Sequence, residues 1–264
     1  MKKCGVLFVV LLSVIEVVAS DHHQEKKIVV VTPSYNNARY YRANLDSVFN
    51  QNYKNWHLIY VDDCSTDGTP DLVEDYTKQK GKQEQVTLIR NTHRIGALAN
   101  QYKAIHSLEP TDIVILLDGD DWLFGTDVFL YINHVYRNPD IWMTYGQFKQ
   151  HPTNHRGWNV KMPKSVVENN GFREFPHIPT HLKTFYAGLF QKINKEDLMY
   201  NGDFFRMTGD MAAIMPMIEM AREGHFKFIP KVLMIYNIGN PLNDHKGIPG
   251  LQRKMDLEIR GRKK

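Results

Sequence analysis

The sequence predicts an α/β fold with a mostly parallel sheet flanked by helices, followed by a less regular second half. Four apolar, strand-like segments alternate with three segments of helical length between residues 26 and 117. Strands that alternate with helices of about 10–15 residues are typical of right-handed βαβ units, which build parallel sheets. Because functional loops in such folds follow the carboxyl ends of the strands, the polar loops of this sequence are expected to meet in one crevice.

Continuous apolar stretches place the strands of the first half, and capping residues place its helices. The predicted strands are 26–32 (KKIVVVT), 56–61 (WHLIYV), 86–90 (VTLIR) and 112–117 (DIVILL). The predicted helices run from a cap at Asn36 or Asn37 to about residue 50, from Pro70 to about residue 80, and over 96–108.

The second half gives weaker signals. Strands are predicted over 141–149 and 231–238, and a helix over 211–223 in spite of its internal proline. The segment 151–184 is rich in Pro, His and Asn, so we expect loops that shape a pocket. The basic tail from Arg253 is interpreted as a solvated helix end, with a lipid- or partner-binding patch as the alternative.

Composition excludes several classes of protein. The chain has 264 residues, 42% of them hydrophobic and 23% charged, as is ordinary for a folded globular protein. A net charge of +4 is too small to indicate nucleic-acid binding, so no nucleic-acid partner is expected. The only cysteines are Cys4 and Cys64, and Cys4 lies in the predicted leader described next. The mature chain therefore has no internal disulfide and no cysteine-based zinc site.

Residues 1–20 are predicted to be a signal peptide or an N-terminal membrane anchor. Lys2 and Lys3 precede an apolar run over 5–15, and small residues suited to cleavage follow at 17–20. Glu16 interrupts the apolar run, which favours a cleaved signal over an anchor. Under both interpretations residues 21–264 form one domain outside the cytoplasm: in the secretory lumen, secreted, or membrane-anchored and facing away from the cytoplasm.

The strongest chemical signal is a carboxylate cluster after the fourth predicted strand. Asp118, Asp120 and Asp121 lie within four residues of one another. Like charges at this spacing repel one another unless a cation neutralises them, and oxygen ligands suit Mg²⁺ or Mn²⁺. Such an ion would bridge the diphosphate oxygens of a nucleotide. The alternative is a solvated acidic turn.

Two further aspartates follow the second predicted strand. Asp62 or Asp63 can accept the N–H of a uracil-like base, while Thr32 and Tyr35 after the first strand can bind and stack it. The alternative is an Asx-turn that closes the loop and caps the helix at Pro70. Both interpretations can hold at once.

Taken together, these segments resemble family 2 glycosyltransferases with the Rossmann-like GT-A fold. The segments VTPSYNN, VDDCSTDGT, IGALAN and LLDGDDW match that family in order and spacing over residues 28–122. The resemblance implies a nucleotide-sugar donor, often a UDP-sugar, a divalent cation, and inversion at the anomeric carbon. It also implies a nucleotide-binding half over 28–125 and an acceptor-binding half over 126–250. The acceptor hydroxyl belongs to a glycan, a protein or a lipid.

The resemblance also assigns roles to individual residues. Asp120 would reach the ribose or the metal, and Asp121 would ligate the metal. Asp118 belongs to the same cluster, whose closest metal ligand the motif alone does not settle. The motif positions that would hold the nucleotide are Thr32, Pro33, Tyr35 and Asp63. Apart from the resemblance, Arg94 in the turn HRIG could offer a cation to the phosphates, with a plain surface position as the alternative.

The remaining motif residues lie in the second half. Asp210, in the segment MTGD, is the candidate general base, although the family's commoner pattern has a Glu before this Asp. The alternative role for Asp210 is an N-cap of the next helix. His245 resembles a downstream family histidine that contacts the metal or the diphosphate, with a solvated loop position as the alternative.

Three rival functions share part of this pattern. A haloacid-dehalogenase-like phosphatase also carries Asp-x-Asp after an apolar strand. That family requires Thr or Val at the position of Trp122, and a carboxylate four residues after Asp210, where this chain has Ile214. A sugar nucleotidylyltransferase should have a Gly-rich, Arg-containing loop where this chain has PSYNN. A non-catalytic carbohydrate-binding relic would not need the candidate catalytic carboxylates, all of which are present.

Overall fold

The fold is seen in a computed structural model that describes residues 25–177, 179–243 and 250–263. The predicted leader, residues 1–20, and His245 lie outside these residues. Within the described ranges, no helix is long and apolar enough to cross a membrane.

The first half forms the predicted βαβ units. Parallel pairing joins all four strands in the order β3-β2-β1-β4. The strands are β1 (Ile28–Ser34), β2 (Trp56–Asp62), β3 (Val86–Arg90) and β4 (Ile113–Leu116). The helices between them are α1 (Tyr41–Phe49), α2 (Thr69–Gln79) and α3 (Ala97–His106).

The second half extends the same sheet. In the described part of the chain the sheet has eight strands, in the order β3-β2-β1-β4-β7-β6-β10-β5. Its added strands are β5 (Trp122–Leu123), β6 (Met143–His151), β7 (Lys183–Tyr186) and β10 (Phe226–Asn237), and a separate hairpin pairs β8 (Met199–Tyr200) with β9 (Asp203–Phe204). The helices are α4 (Val128–Val135), α5 (Lys164–Glu168), α6 (Ala187–Gln191), α7 (Gly209–Met220) and α8 (Leu251–Gly261). The prediction of a mostly parallel sheet is confirmed, with β7 antiparallel to β4 and β6, and β5 antiparallel to β10.

Alternation along the central strands divides the core between the two faces of the sheet. In β1, Ile28 and Val30 pack on one face while Val29 and Val31 pack on the other, and all four are fully buried. A strand buried on both faces reads as a continuous apolar run, which explains why this strand was visible in the sequence.

Several element boundaries differ from the prediction. β1 continues to Ser34 because Pro33 and Ser34 pair in register with β2. Helix α1 begins at Tyr41, and Asn37 contributes its backbone carbonyl rather than a side-chain cap. β10 begins at Phe226, earlier than predicted, since irregular register around Pro230 lets the strand continue through the proline.

The basic tail is more than a solvated helix end. On α8, Met255 and Ile259 are buried in the core. Arg260 donates to the backbone carbonyls of Arg173 and Phe175, and Arg262 donates to three carbonyls over 196–199. The tail is therefore anchored to the second half of the fold by Met255, Ile259, Arg260 and Arg262. Arg253 and Lys254 remain exposed.

A buried ion pair fastens α7 to the segment before β7. Arg173 donates from Nε and Nη2 to the two carboxylate oxygens of Glu219 at 2.6 and 2.8 Å. Both side chains are at most 10% exposed, and Arg173 also donates to the carbonyl of Ile259 at 2.7 Å. Removing one partner of such a pair leaves a buried charge without compensation.

We expect Arg173→Met to lower the free energy of unfolding by about 3–5 kcal/mol, because Glu219 would remain buried and unpaired. Urea unfolding followed by circular dichroism measures this change. The matched control is Glu223→Gln, which removes the exposed Arg222–Glu223 pair and should cost about 1 kcal/mol at most. Similar losses in the two variants would show that the buried pair contributes no more than a surface pair.

Candidate functional site

A groove of about 1500 Å³ opens where β1, β2 and β4 end. The first half of the chain contributes Pro33, Tyr35, Asp63, Arg94, Asp118 and Asp120 to its lining. The second half contributes His181, Lys183, Asp210, Tyr236 and Asn240. The polar loops that the sequence placed at strand ends thus line one crevice, as expected for a parallel α/β sheet.

Asp63 organises the loop that leads into α3. Its Oδ1 accepts hydrogen bonds from the backbone N–H of Ile95 and from Asn91 Nδ2, both at 2.9 Å. Its Oδ2 accepts the backbone N–H of Gly96, also at 2.9 Å. Although burial opposes ionisation, these hydrogen bonds hold the pKa of Asp63 below its ordinary value. Asp63 is thus a fixed anion that faces the groove and shapes the wall beside it.

Asp62 and Thr32 occupy different positions from those expected of nucleotide-binding residues. The carboxylate of Asp62 accepts the N–H of Ser65 at 2.9 Å, which is the Asx-turn of the alternative interpretation. Thr32 is fully buried in β1. Neither residue lines the groove. Both side chains point into the protein, and that of Asp62 holds the backbone of the loop after β2.

Tyr35 and Arg94 form a shelf in the groove. The guanidinium carbon of Arg94 lies 3.7 Å from the centre of the Tyr35 ring, a close cation–π stack. The Arg94 side chain is 62% exposed, and its Nε lies 3.9 Å from Asp63 Oδ2. The structure therefore places the Tyr35 ring, the solvent-exposed Arg94 guanidinium and the Asp63 carboxylate side by side.

The aspartate cluster presents two of its three members to the groove. Asp118 and Asp120 line the groove, whereas Asp121 lies behind them and is fully buried. Asp121 Oδ1 accepts the backbone N–H of Asn237 at 2.8 Å, and Asp120 Oδ2 accepts Asn240 Nδ2 at 2.7 Å. The end of β10 and the loop after it are thereby fastened to the cluster.

The backbone of the cluster is held by tight packing at Gly119. A Cβ atom at this position would lie 2.6 Å from Ser34 Oγ and 2.8 Å from Asn37 Nδ2. Any larger residue would push apart the ends of β1 and β4. The Gly of the DGDD segment is thus required by the close approach of two strand ends.

The charge balance of the cluster fits a divalent cation. Burial raises the pKa of Asp120, and burial together with Asp120 and Asp118 raises the pKa of Asp121 well above its ordinary value. Asp121 Oδ2 is buried without a hydrogen-bond partner among the described residues. Hard oxygen acceptors that are short of positive charge are the donor set that Mg²⁺ and Mn²⁺ favour. Within the described ranges, however, no three His, Cys, Asp or Glu side chains converge as a ready-made metal site.

Asp210 lies in the first turn of α7 and lines the same groove. The residue before the helix is Thr208, so the alternative interpretation of Asp210 as N-cap does not describe the structure. Thr208 has a φ of +56°, which is a rare conformation for a β-branched residue. The Asp210 side chain is 42% exposed, and its Oδ1 accepts the backbone N–H of Met211 at 2.8 Å.

Three groove residues were missed by sequence reasoning. Lys183 Nζ lies 3.4 Å from Asp210 Oδ2, His181 stacks on Tyr236 with ring centres 4.8 Å apart, and all three line the groove. The available signal was a lysine at the start of an otherwise uncharged strand, in the sequence KTFY. A charged residue in a central strand indicates a buried partner, although the sequence could not say which residue that partner is.

The family model described as "Glycosyl transferase family 2" matches residues 29–197, more than half of the chain. TuaG of Bacillus subtilis, named as a teichuronic acid biosynthesis glycosyltransferase, is 37% identical over 93 residues, which are 35% of this chain and 36% of TuaG. WfgD of Escherichia coli, a UDP-Glc:α-D-GlcNAc-diphosphoundecaprenol β-1,3-glucosyltransferase, is 26% identical over 140 residues, 53% of each chain. The matches thus span about a third to a half of the length of these two curated relatives.

Solved structures share the fold. S. aureus TarS 1–349 in complex with UDP-GlcNAc has a TM-score of 0.61 at 17% identity, covering 88% of this chain and 64% of that one. The mannosyltransferase PcManGT of Pyrobaculum calidifontis, in complex with GDP-Man and Mn²⁺, has a TM-score of 0.58 at 19% identity, covering 90% and 64%. These similarities identify the fold as GT-A, as the sequence resemblance implied. With the family model matched over most of that fold, the chain belongs to glycosyl transferase family 2.

Proposed function

We propose that this chain transfers a sugar from a nucleotide-diphosphate donor to an acceptor hydroxyl, with inversion at the anomeric carbon. The observation that carries the proposal is that Asp118, Asp120 and Asp210 all line one groove, together with the Tyr35–Arg94 shelf. A metal-binding carboxylate cluster and a separate carboxylate base are the two parts that a metal-assisted, inverting transfer requires.

The shelf is the proposed site of the nucleotide. Tyr35 offers a ring face for a base, and the exposed Arg94 guanidinium offers a cation for phosphate oxygens. Asp63 faces the same space as an acceptor for a base N–H, and Pro33 completes the wall. A UDP-sugar is the favoured donor. UDP-GlcNAc is the ligand of the TarS structure and UDP-Glc is in the name of WfgD, whereas PcManGT holds GDP-Man.

The cluster is the proposed site of Mn²⁺ or Mg²⁺. Asp120 would hold the ion on the groove side and Asp121 from behind, with Asp118 beside them, and His245 remains a proposed ligand. When bound, such an ion supplies positive charge to the leaving diphosphate. Mn²⁺ accompanies the donor in the PcManGT structure. The chain's own contribution is an excess of carboxylate oxygens at one point of the groove.

Asp210 is the proposed general base. Burial opposes ionisation of Asp210, but the Lys183 ammonium and the hydrogen bond from the Met211 N–H outweigh it and lower the pKa, so the carboxylate is ionised near neutral pH. One of its oxygens is oriented by the N–H of Met211, and the side chain remains partly open to the groove. It would accept the proton of the acceptor hydroxyl as that oxygen attacks the sugar carbon.

The binding relic and the phosphatase, the two main rival functions, explain the residues of the groove less well than sugar transfer does. A binding relic has no need of a partly exposed, ionised carboxylate held by a buried lysine. A haloacid-dehalogenase-like phosphatase would belong to another family than the one matched over residues 29–197.

A donor-hydrolysis screen tests the class of reaction. The chain from residue 21 is incubated with a panel of UDP- and GDP-sugars, with and without Mn²⁺ or Mg²⁺, and free nucleotide is detected. We expect metal-dependent release of one nucleotide from one or two donors. Absence of both nucleotide release and nucleotide binding by calorimetry would support the binding-relic interpretation.

We expect Asp210→Asn to lower kcat by about 10²–10⁴-fold while the KM for the donor changes little, because a base acts in the transition state and not in donor binding. Steady-state kinetics with the donor found in the screen measures both constants. A comparable loss in donor affinity and in kcat would indicate that Asp210 binds the donor instead.

We expect Asp120→Asn to weaken the apparent affinity for Mn²⁺ at least about 10-fold, because a groove-facing ligand oxygen loses its charge. Titration of activity with Mn²⁺ measures this effect, and Asp127→Asn, an exposed position outside the groove, is the control. An unchanged Mn²⁺ dependence in Asp120→Asn would remove Asp120 from the metal site.

A further inference from the structure

Lys183 is a buried charge at the functional edge of the sheet. Because β7 runs antiparallel to β4, Lys183 at its start pairs in register with Leu116 at the end of β4. The lysine therefore stands at the same sheet edge as the aspartate cluster, which begins two residues after Leu116. Its side chain is only 6% exposed, although it lines the groove.

The contact between Lys183 and Asp210 joins two distant parts of the chain. Lys183 Nζ lies 3.4 Å from Asp210 Oδ2, while Asp210 Oδ1 accepts the N–H of Met211 at 2.8 Å. The carboxylate is thus held from two sides, by the central sheet and by its own helix. Its remaining lone pairs are available to the groove, since the Asp210 side chain is 42% exposed.

Burying an ammonium group has a cost that packing does not explain. Transferring the lysine ammonium group from water into the protein interior costs several kcal/mol. An apolar side chain at the same strand position would avoid that cost. The neighbouring strand positions Thr184 and Phe185 are fully buried and uncharged. A lysine in this position is expected where its charge serves a partner.

We propose that Lys183 is a positioning residue that keeps the Asp210 carboxylate ionised and oriented toward the acceptor hydroxyl. The proposal rests on the proposed role of Asp210 as general base. Lys183 itself donates no proton in the transfer, and the proton of the acceptor hydroxyl goes to Asp210.

The other groups around Asp210 do not replace this charge. Burial, and then Lys183, lower the pKa of His181 to about 3, so its ring is neutral at physiological pH. Burial and the nearby aspartates raise the pKa of Tyr236, so its hydroxyl is neutral as well. Asp121 lies close enough to feel the charge of Lys183, but a carboxyl group offers no positive charge. Three further charged groups of the second half line the groove: Arg206 pairs with Asp203, Asp256 pairs with Arg260, and Arg253 is exposed to solvent.

Burial and the charge of Lys183 act on the pKa of Asp210 in opposite directions, and this sets the direction of the change expected when Lys183 is replaced. Burial raises the pKa of Asp210 and Lys183 lowers it, so removing the ammonium leaves burial less opposed. In Lys183→Met the pKa of Asp210 rises, and the carboxylate is protonated over a pH range in which it is ionised in the wild type. Activity should therefore fall most at low pH and recover as the pH is raised.

The experiment compares three variants with the wild-type chain, and kcat and the donor KM are measured across pH by varying the donor at saturating Mn²⁺. In Lys183→Met we expect the acid limb of the kcat profile to move up by about one pH unit or more, the size of effect that an opposite charge at this distance produces. In Lys183→Arg, which keeps the charge, the limb should stay near its wild-type position. Lys227→Met, an exposed lysine on β10 outside the groove, is the matched control and should leave the profile unchanged.

A second measurement does not depend on activity. The Asp210 carboxyl is titrated by carbon NMR in ¹³C-aspartate-labelled chain, with Asp210→Asn used to assign its signal. An upward move of the Asp210 titration in Lys183→Met supports the proposal even if Asp210→Asn retains activity, an outcome that would overturn only the role of Asp210 as base. If Lys183→Met does not fold, Lys183→Gln replaces it in both measurements.

Two outcomes would overturn the proposal. One is a uniform loss of kcat at every pH with an unmoved Asp210 titration, which would make Lys183 a packing residue. The other is a raised donor KM with an unmoved acid limb, which would make Lys183 a ligand of the donor phosphates.

Discussion

Four carboxylates gather at one edge of the sheet, and the repulsion among the three that follow β4 is the constraint on which the site depends. Asp118, Asp120 and Asp121 follow β4, and Asp210 reaches the same groove from α7. Like charges in a poorly solvated space require fixed positive charge or strong donors nearby. Among the described residues the fold meets this requirement unevenly. Asp210 has a buried ammonium beside it, whereas one oxygen of Asp121 has no hydrogen-bond partner in the part of the chain that the structure describes.

On the proposed function, this unevenness corresponds to two different roles, with Asp210 as the base and the aspartate cluster as the metal site. A carboxylate that must stay ionised while it waits for a proton benefits from a permanent counter-charge. A cluster that must receive a cation and release it has to remain short of positive charge in its absence. Raised pKa values at Asp120 and Asp121 and a lowered pKa at Asp210 are the two sides of this arrangement.

Amide and carboxylate side chains hold the loops that carry these charges. Asn44 on α1 donates from Nδ2 to the backbone carbonyls of Asp118 and Asp121, which fixes the turn after β4. Asp67 accepts the backbone N–H groups of Ala38 and Thr69, joining the loops after β1 and β2. Asp63 accepts the backbone N–H groups of Ile95 and Gly96 and so holds the loop before α3. Loops with few apolar contacts are thus set by hydrogen bonds from neighbouring elements, which preorganises the groove.

The sequence by itself determined the strands β1 to β4, because a strand buried on both faces is a continuous apolar run, and it determined that their polar ends meet. It also indicated the groove residues Tyr35, Asp63, Asp120 and Asp210, because chemistry-bearing residues at strand and helix ends have few positions to occupy. Only the tertiary structure decided that Thr32 and Asp62 face inward, that Asp121 stands behind Asp120, and that Lys183 meets Asp210. These facts depend on strand register and on contacts between residues far apart in the chain, to which no local pattern of residues corresponds.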